Sequence, residues 1–159
     1  MIEATLSEYA SDLPVYFLDR IAKFHLDFET IHPFCDDNGR IGRVLTNFQL
    51  LALGFPRVII RNKEKRIYYK AFGDYRDRKS TKTMERIMAL ALMESLHKRI
   101  TYVSGDPITA LSAFAKSHGI SAAAITNAAR RQTIPAFREK GAWKISESFD
   151  YEKRDIEIK

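Results

Sequence analysis

Apolar residues recur at intervals of three and four positions along the first hundred residues, and this is the period of an amphipathic helix. In the first such segment the period runs through Leu13, Phe17, Ile21, Phe24 and Phe28. It predicts a helix over residues 12–30, which ends before a histidine and a proline.

Three more helices are predicted before residue 103. The first of them follows Gly39 and ends at Gly54 and Pro56. Its predicted buried positions are Ile41, Val44, Leu45, Phe48, Leu51 and Leu53. After a short extended piece at 57–61, an amphipathic helix is predicted over 63–77 and a long helix over 80–100. The side chains of the long helix expected to face inward are Met84, Ile87, Leu90, Ala91 and Leu96.

The helical period breaks at residues 104–107, where Gly and Pro predict a linker. Residues 109–133 then predict two helices with a turn at Gly119, the second beginning at Ser121. Two short strands are predicted over 134–138 and 142–145, joined by a turn at Lys140 and Gly141, before a tail of mixed charge. The expected fold class is therefore mainly α, with two domains at 1–103 and 104–159.

Composition and charge narrow the class of protein. The 159 residues are 45% hydrophobic and 29% charged, which is typical of a globular protein. A formal net charge of +6 favours a polyanionic partner such as a nucleotide or nucleic acid, although this excess is also typical of an ordinary solvated surface. The single cysteine, Cys35, has no internal disulfide partner, and no segment resembles a signal peptide or a transmembrane helix. We therefore expect a cytoplasmic location and no membrane partner.

Residues 31–43, IHPFCDDNGRIGR, lie where one predicted helix ends and the next begins. The backbone amides at the start of the second helix attract anions, and Arg40 and Arg43 can pair with charged oxygens. Asp36 can supply the carboxylate that a phosphate-bound divalent cation needs. His32 titrates in the range required of a general base. The stretch predicts a base, a metal ligand and a phosphate clamp in one loop.

A purely structural interpretation of the same residues stays open. The residues DDNG are also typical of a turn, and Asp36 is a suitable helix cap. A single histidine in a loop is more often structural than catalytic.

The stretch resembles the signature of the Fic family, which runs His-Pro-Phe, any residue, Asp or Glu, Gly-Asn-Gly-Arg, two residues, Arg. HPFCDDNGRIGR matches every fixed position except one. The following LLALGFPRVIIRNKEKRIYYKAF is similar to the segment after the motif in one branch of the family. The resemblance covers roughly residues 12–100 and implies a short Fic-type helical core. Members transfer AMP from ATP to a protein hydroxyl, and some also remove it.

The resemblance implies a role for each matching residue. His32 would be the base that activates the target hydroxyl, Asp36 would hold Mg²⁺, and Phe34 would anchor the loop in the core. The implied nucleotide contacts are Asp37 at the departing position, Asn38 and Gly39 as the phosphate cradle, Arg40 on the outer phosphates, Arg43 on the terminal phosphate, Tyr68 and Tyr69 around the adenosine, and Arg76 on the adenine.

The departure is Asp37, which stands where the family usually has glycine. If the position needs a positive φ, Asp is among the better substitutes for glycine. Its carboxylate would repel phosphates unless it holds a metal ion or points outward as a turn residue. Full transferase activity therefore depends on where this side chain lies.

Two further features of the family are absent from these residues. Only eleven residues precede the first predicted helix, whereas members usually carry a β-hairpin flap there that aligns the target. The inhibitory motif is approached by TKTMER, which ends in Arg86 instead of glycine or asparagine. Missing helices would leave apolar surface exposed, so self-association into a homo-oligomer is expected to cover it.

The segment over residues 106–146 resembles the winged helix-turn-helix units of excisionase-like and MerR-like regulators. That resemblance implies binding to duplex DNA, with a protein-docking role as the alternative. The expected base contacts are Thr126 and Asn127, and the expected phosphate contacts are Arg130, Arg131, Arg138 and Lys140.

The function expected from the sequence is transfer of AMP from Mg-ATP to a Ser, Thr or Tyr hydroxyl of a target protein. The alternative is a DNA-binding regulator, or a truncated remnant, in which the Fic-like part is a scaffold without activity.

Overall fold

The computed structural model of this protein describes residues 1–10, 16–61 and 65–151. Over these residues the fold is mainly α, as predicted. In chain order the elements are α1 (Ile2–Ala10), α2 (Phe17–Ile31), α3 (Asn38–Ala52), α4 (Lys65–Arg78), α5 (Lys82–Ser104), β1 (Ile108–Ala110), α6 (Leu111–Ser117), α7 (Ala122–Arg131), β2 (Phe137–Glu139) and β3 (Ala142–Ser146). None of these helices combines the length and apolar character needed to cross a bilayer.

The chain divides into two compact units, Met1–Leu92 and Met93–Lys159. The boundary falls within α5, whose first residues belong to the first unit and whose later residues belong to the second. The domain division predicted between residues 103 and 104 stays a prediction.

The central helix of the first unit is α2, which contacts α1, α3 and α4. Its predicted core positions are confirmed at Ile21, Phe24 and Phe28, which are all buried. Leu13 and the other predicted helical residues at 12–15 lie outside the described residues, as do residues 63 and 64 of the helix that became α4. Helix α2 buries side chains around most of its circumference because it has neighbours on three sides.

Helix α1 was not predicted. It is nine residues long, so its sequence covers only about two and a half turns in which a helical period could be recognised. Its stabilising contacts come from α2: the Lys23 ammonium lies 2.8 Å from the Glu8 carboxylate, and Thr5 is buried. Helices this short depend on tertiary packing more than on propensity.

The prediction of an apolar buried face on α3 is wrong. Val44 and Phe48 are 66% and 68% exposed, and Leu51 and Leu53 are also exposed. The buried residues of α3 are instead mostly small or polar. They are Asn38, Gly42, Thr46 and Gln49, together with the apolar Leu50.

Gly42 explains why α3 presents its small, polar face to α2. A Cβ atom at this position would lie 2.5 Å from Glu29 Oε1 and 3.3 Å from both the His25 and the Phe28 rings. These distances show that the two helices approach closely at a residue without a side chain. The close approach turns the Val44, Phe48 and Leu51 stripe, hereafter the α3 apolar stripe, away from α2.

The second unit places α6 and α7 against a three-stranded sheet. The sheet order is β1-β3-β2, and both pairings are antiparallel. The core cluster consists of Leu111, Phe114, Ala115, Ile125, Ala128, Ala129, Ile134, Ala136 and Ile145.

Two details of this unit differ from the prediction. Strand β1 was missed, because its three residues owe their conformation to pairing with β3. The strand predicted at 134–138 begins only at Phe137. Residues 134–136 make a tight turn instead, in which the Ala136 N–H donates to the Ile134 carbonyl at 2.7 Å around Pro135. The strand predicted at 142–145 is confirmed as β3.

Candidate active site

The loop between α2 and α3 is closed by Asn38. The Phe34 N–H donates to Asn38 Oδ1 at 3.0 Å, and Asn38 Nδ2 donates to the Phe34 carbonyl at 2.6 Å. Asn38 is 2% exposed, whereas Phe34 is 51% exposed. The prediction that Phe34 anchors the loop in the core is therefore wrong, because the buried amide of Asn38 performs that task.

His32 lies at the C-cap of α2 in the left-handed conformation, with φ of 51°. Its Nδ1 lies 2.8 Å from the backbone carbonyl of Glu29. A carbonyl can only accept, so Nδ1 is protonated, and in the neutral imidazole Nε2 carries the lone pair. The imidazole is exposed, so a substrate group can reach Nε2.

Helix α3 begins after Asp37, which also has a left-handed backbone, with φ of 62°. The Asp37 carbonyl accepts the Arg40 and Ile41 N–H groups at 2.9 and 3.0 Å. Its carboxylate forms an ion pair with the Arg40 guanidinium across the first turn. Asp36 Oδ1 accepts the Asp37 N–H at 2.7 Å. The Asp37 carboxylate thus pairs with Arg40, which the sequence analysis expected to contact the outer phosphates.

Asp36 is the carboxylate of this loop that does not form the ion pair with Arg40. Within the described ranges, no three His, Cys, Asp or Glu side chains cluster as a cation cage would require. Asp36 is exposed beside the helix N-terminus. This donor set fits Mg²⁺ held by one carboxylate together with substrate phosphates, which is how Mg²⁺ is usually bound with nucleotides.

Arg43 lies one turn into α3, close to Gly39. Its Nη1 atom is 3.3 Å from the point that a Gly39 Cβ would occupy, and the two Glu29 carboxylate oxygens are 3.8 and 3.9 Å from that point. Arg43 also lines a cavity of about 200 Å³ together with Thr46, Asn47 and Val58. Gly39 therefore gives this guanidinium room across the helix N-terminus.

A hydrogen-bonded cluster lies beneath these residues. Tyr68 Oη is 2.6 Å from His25 Nε2, and Thr46 Oγ1 is 3.2 Å from His25 Nδ1. Burial lowers the pKa of His25 to about 4, and burial also raises the pKa of Tyr68 above its ordinary range. The positive charge of Arg43 acts against this shift and lowers the pKa of Tyr68.

Burial also raises the pKa of Glu29, against the lowering effect of His32 and Arg43. The Glu29 Oε1 atom is buried and has no hydrogen-bond partner among the described residues. Sequence reasoning overlooked both His25 and Glu29. Their spacing of four residues on α2, with His32 three residues beyond Glu29, was the available signal, because such positions share one helix face.

The other residues assigned to the nucleotide lie farther along α4. Tyr69 is 60% exposed, and Arg76 is exposed eight residues beyond Tyr68. Eight residues span about 12 Å of helix. The structure thus brings together His32, the loop carboxylates, the α3 N-terminus and Arg43, and it joins Tyr68 to the buried His25.

A cavity of about 500 Å³ lies elsewhere in the first unit, between α1, α2 and α4. Three of its charged side chains are paired with one another. Lys23 lies 2.8 Å from both Glu8 and Asp27, and the Tyr75 hydroxyl donates to Asp27. This cavity contains none of the predicted site residues.

The residues assigned to DNA lie in the second unit. Asn127, Arg130 and Arg131 are exposed on one face of α7, opposite the buried Ile125, and Thr126 is half-buried. Lys140 is exposed in the β2–β3 turn, with φ of 48°. The Arg138 guanidinium stacks 4.3 Å from the Trp143 ring, which holds it against the hairpin.

The loop, the helix N-terminus and the two arginines of the first unit form the kind of site that binds phosphate groups. In agreement, residues 1–50 match the model of the Fic/DOC family. A probable protein adenylyltransferase from Aquifex aeolicus is 54% identical over 44 residues, which cover 28% of this chain and 14% of that protein. The protein adenylyltransferase Fic of Drosophila willistoni is 44% identical over 64 residues, 40% of this chain and 12% of that protein.

A third relative, the protein adenylyltransferase Fic of Nematostella vectensis, is 48% identical over 46 residues, 29% of this chain and 11% of that protein. The matched segments thus span less than one sixth of the length of these curated relatives. No solved structure matches this chain.

Proposed function

We propose that this chain is a Fic-type protein adenylyltransferase that transfers AMP from ATP to a Ser, Thr or Tyr hydroxyl of another protein. The observation that carries the proposal is the His32 tautomer. Because Nδ1 of the neutral imidazole donates its hydrogen bond to the Glu29 carbonyl, Nε2 is left as the base, in a loop that leads directly into a helix N-terminus. The family match over residues 1–50 and the adenylyltransferase relatives support the same activity.

The triphosphate would bind at the N-terminus of α3. The first amides of this 15-residue helix carry the positive end of its dipole, and Gly39 allows a ligand to approach the backbone. Asn38 keeps the loop in place from below, while Arg40 and Arg43 supply positive charge on either side of Gly39. Tyr69 and Arg76 would contact the nucleoside.

Asp36 would hold Mg²⁺ together with phosphate oxygens. When bound, the ion would neutralise charge that develops on the departing pyrophosphate. The remaining chemistry belongs to the chain: His32 Nε2 takes the proton of the target hydroxyl as its oxygen forms a bond to the α-phosphorus. The bond between the α-phosphorus and the bridging oxygen breaks, and pyrophosphate leaves.

The test is label transfer from α-labelled ATP to proteins of a lysate. The wild-type chain should label one or more proteins, and His32→Ala should reduce the rate by about 10² to 10⁴-fold, the usual cost of losing a general base. His118→Ala, which removes an exposed histidine of the second unit, is the matched control and should label as well as wild type. Equal labelling by His32→Ala would remove His32 from the mechanism.

We also propose that the second unit binds duplex DNA. Asn127, Arg130 and Arg131 share the exposed face of α7, and the β2–β3 hairpin places Lys140 at a turn, which is the layout of a winged helix-turn-helix reader. A gel shift of the full chain on random duplexes tests this. Absence of binding at micromolar protein and low salt would leave protein docking as the role of the unit.

Self-association and location complete the proposal. The α3 apolar stripe is exposed, and a homo-oligomer would cover it, which sedimentation velocity would detect as a mass above 18.3 kDa. A chain that uses ATP and carries one free cysteine, Cys35, is expected to work in the cytoplasm.

A further inference from the structure

An extended segment lies beside α3 in the connection from α3 to α4. Asn47 of α3 holds it at Val58: the Val58 N–H donates to Asn47 Oδ1 at 2.7 Å, and Asn47 Nδ2 donates to the Val58 carbonyl at 3.2 Å. One amide group can reach both backbone groups of a single residue only where they point to the same side, as they do in a β-strand. The alternation of exposure agrees, because Val58 is buried and Ile59 is 64% exposed.

The peptide unit after Val58 presents its N–H on the opposite side. The C=O and N–H groups of a planar trans peptide point in opposite directions, so the Ile59 N–H points away from Asn47. Among the residues that the structure describes, neither the N–H nor the carbonyl of Ile59 has a hydrogen-bond partner. These two groups, hereafter the Ile59 edge, are the kind of backbone groups that pair with an added strand.

A cavity of about 200 Å³ lies beside the Ile59 edge. Its walls include Val58, Ile59 and Ile60 of the segment and Arg43 and Asn47 of α3. Proteins that bind an added strand combine main-chain hydrogen bonds, which give affinity, with pockets for alternate side chains, which give specificity. Arg43 belongs to the candidate active site, so a side chain that enters this cavity reaches the border of that site.

The charge around the edge selects its partner. Residues 57–66, RVIIRNKEKR, contain five basic residues and one acidic residue. Two copies of this chain paired antiparallel at Ile59 would place Arg57 of one copy opposite Arg61 of the other, and like charges directly opposite each other destabilise a sheet. An extended segment with acidic residues on both sides of an apolar one would instead be attracted at both ends.

We propose that the Ile59 edge is the docking site for the protein target, which adds an acidic, extended segment of its own there as a β-strand. This inference rests on the proposed function, since it describes how the target of the transfer is held. The Ile59 N–H and carbonyl would pair with the backbone of that segment, and one of its side chains would enter the cavity beside Arg43.

Amide hydrogen exchange of the wild-type chain, followed by NMR without nucleotide or target, tests the edge itself. The Val58 N–H should exchange slowly because it donates to Asn47, and the Ile59 N–H should exchange at least about tenfold faster. Protection of Ile59 equal to that of Val58 would overturn the proposal. Protection of Ile59 that appears only as the chain concentration rises would show that a second copy covers the edge, and it would also overturn the proposal.

A peptide titration tests the chemistry of the partner. The probe is a library of blocked seven-residue peptides with glutamate at both ends and alternating β-branched and polar residues between them. The matched control is the same library with lysine at both ends. NMR should show a downfield shift of the Ile59 amide with the glutamate peptides and at least about fivefold weaker binding of the lysine peptides. No shift at millimolar peptide, or equal binding of both libraries, would overturn the proposal.

Ile59→Pro tests the edge in the proposed reaction. It removes the outward N–H, and proline favours the extended conformation that Val58 already has. Ile59→Val is the matched variant, because it keeps the N–H and a β-branched side chain. In the lysate assay with α-labelled ATP, Ile59→Pro should label proteins about fivefold more slowly than Ile59→Val, the usual cost of one neutral hydrogen bond. Calorimetry should give the same Mg-ATP affinity for both variants.

These measurements separate the inference from the proposed function. If the wild-type chain labels no protein, the proposed function fails, and the exchange and peptide measurements still decide whether the edge binds an acidic strand. If the wild-type chain labels proteins and the two variants label equally well, the docking site fails and the proposed function stands. If Ile59→Pro does not fold, the peptide titration of the wild-type chain decides.

Discussion

Replacing Gly42 with alanine tests the close approach of α2 and α3. The added Cβ would lie 2.5 Å from Glu29 Oε1 and 3.3 Å from the rings of His25 and Phe28. Overpacking of this kind costs about 1–3 kcal/mol. Alanine recovers about 1 kcal/mol of helix propensity relative to glycine. We therefore expect Gly42→Ala to lower the free energy of unfolding by about 1 kcal/mol, since about 2 kcal/mol of overpacking exceeds the propensity gain.

Gly73 in the interior of α4 is the matched control. Nothing lies within 4 Å of the point that its Cβ would occupy. Gly73→Ala should therefore gain the propensity term without a clash and raise the free energy of unfolding by about 1 kcal/mol. The two substitutions are chemically identical, yet the structure predicts opposite signs.

Urea denaturation followed by NMR signals from residues of the first unit gives both values, and it avoids mixing the unfolding of the two units. A Gly42→Ala chain that is as stable as wild type, or more stable, would show that the Glu29 carboxylate and the two rings move aside without cost, and it would refute overpacking at this position.

Three further predictions concern the loop, the buried histidine and the second unit. Asp37→Gly and Asp37→Asn should each tighten Mg-ATP binding about fivefold in calorimetry, because removing one like charge near phosphate is worth about 1 kcal/mol in water; weaker binding only in the presence of Mg²⁺ would instead make Asp37 a metal ligand. The pKa of His25 is lowered to about 4, so the unfolded state alone takes up a proton as pH falls below about 6.5. The free energy of unfolding should therefore fall by roughly 3 kcal/mol between about pH 6.5 and 4, and His25→Gln should flatten that part of the profile; an unchanged profile would contradict a buried neutral imidazole. Arg130→Ala with Arg131→Ala should reduce the log-log salt slope of DNA binding by roughly two units, whereas Asn127→Ala should leave the slope intact, and any other pattern would remove these arginines from the phosphate contacts.

Helical periodicity was enough to predict α2 and α4. The α2 pattern of Ile21, Phe24 and Phe28 specifies a helix and part of its buried surface, because these apolar residues recur at the helical period. The same rule failed for α3, whose orientation depends on a contact between Gly42 and another helix. Hydrophobicity along one segment contains no information about such a close approach. Helix α1 and strand β1 were not predicted for a related reason, since each is short and is stabilised by a partner that is distant in sequence.

The sequence predicted which residues belong to the candidate site, but it did not predict how they are arranged. The sequence indicated His32, the loop carboxylates and the arginines, because their chemistry is local to thirteen residues. It gave no indication that Asn38 would replace Phe34 as the anchor. It also did not indicate that Tyr68 would hydrogen bond to His25, since that contact joins residues on two different helices.

The left-handed backbone of Asp37 has a consequence at the level of codons. Asparagine and glycine are the other residues that readily accept φ near 62°, and each is one nucleotide transition away from either aspartate codon. Point mutation can therefore exchange a negative, a neutral polar and an absent side chain here while the turn is kept. Most other single-base changes, such as those to valine or alanine, would strain the backbone. A single substitution at Asp37 can thus add or remove the negative charge beside Arg40 during evolution, and the protein keeps this turn at every step.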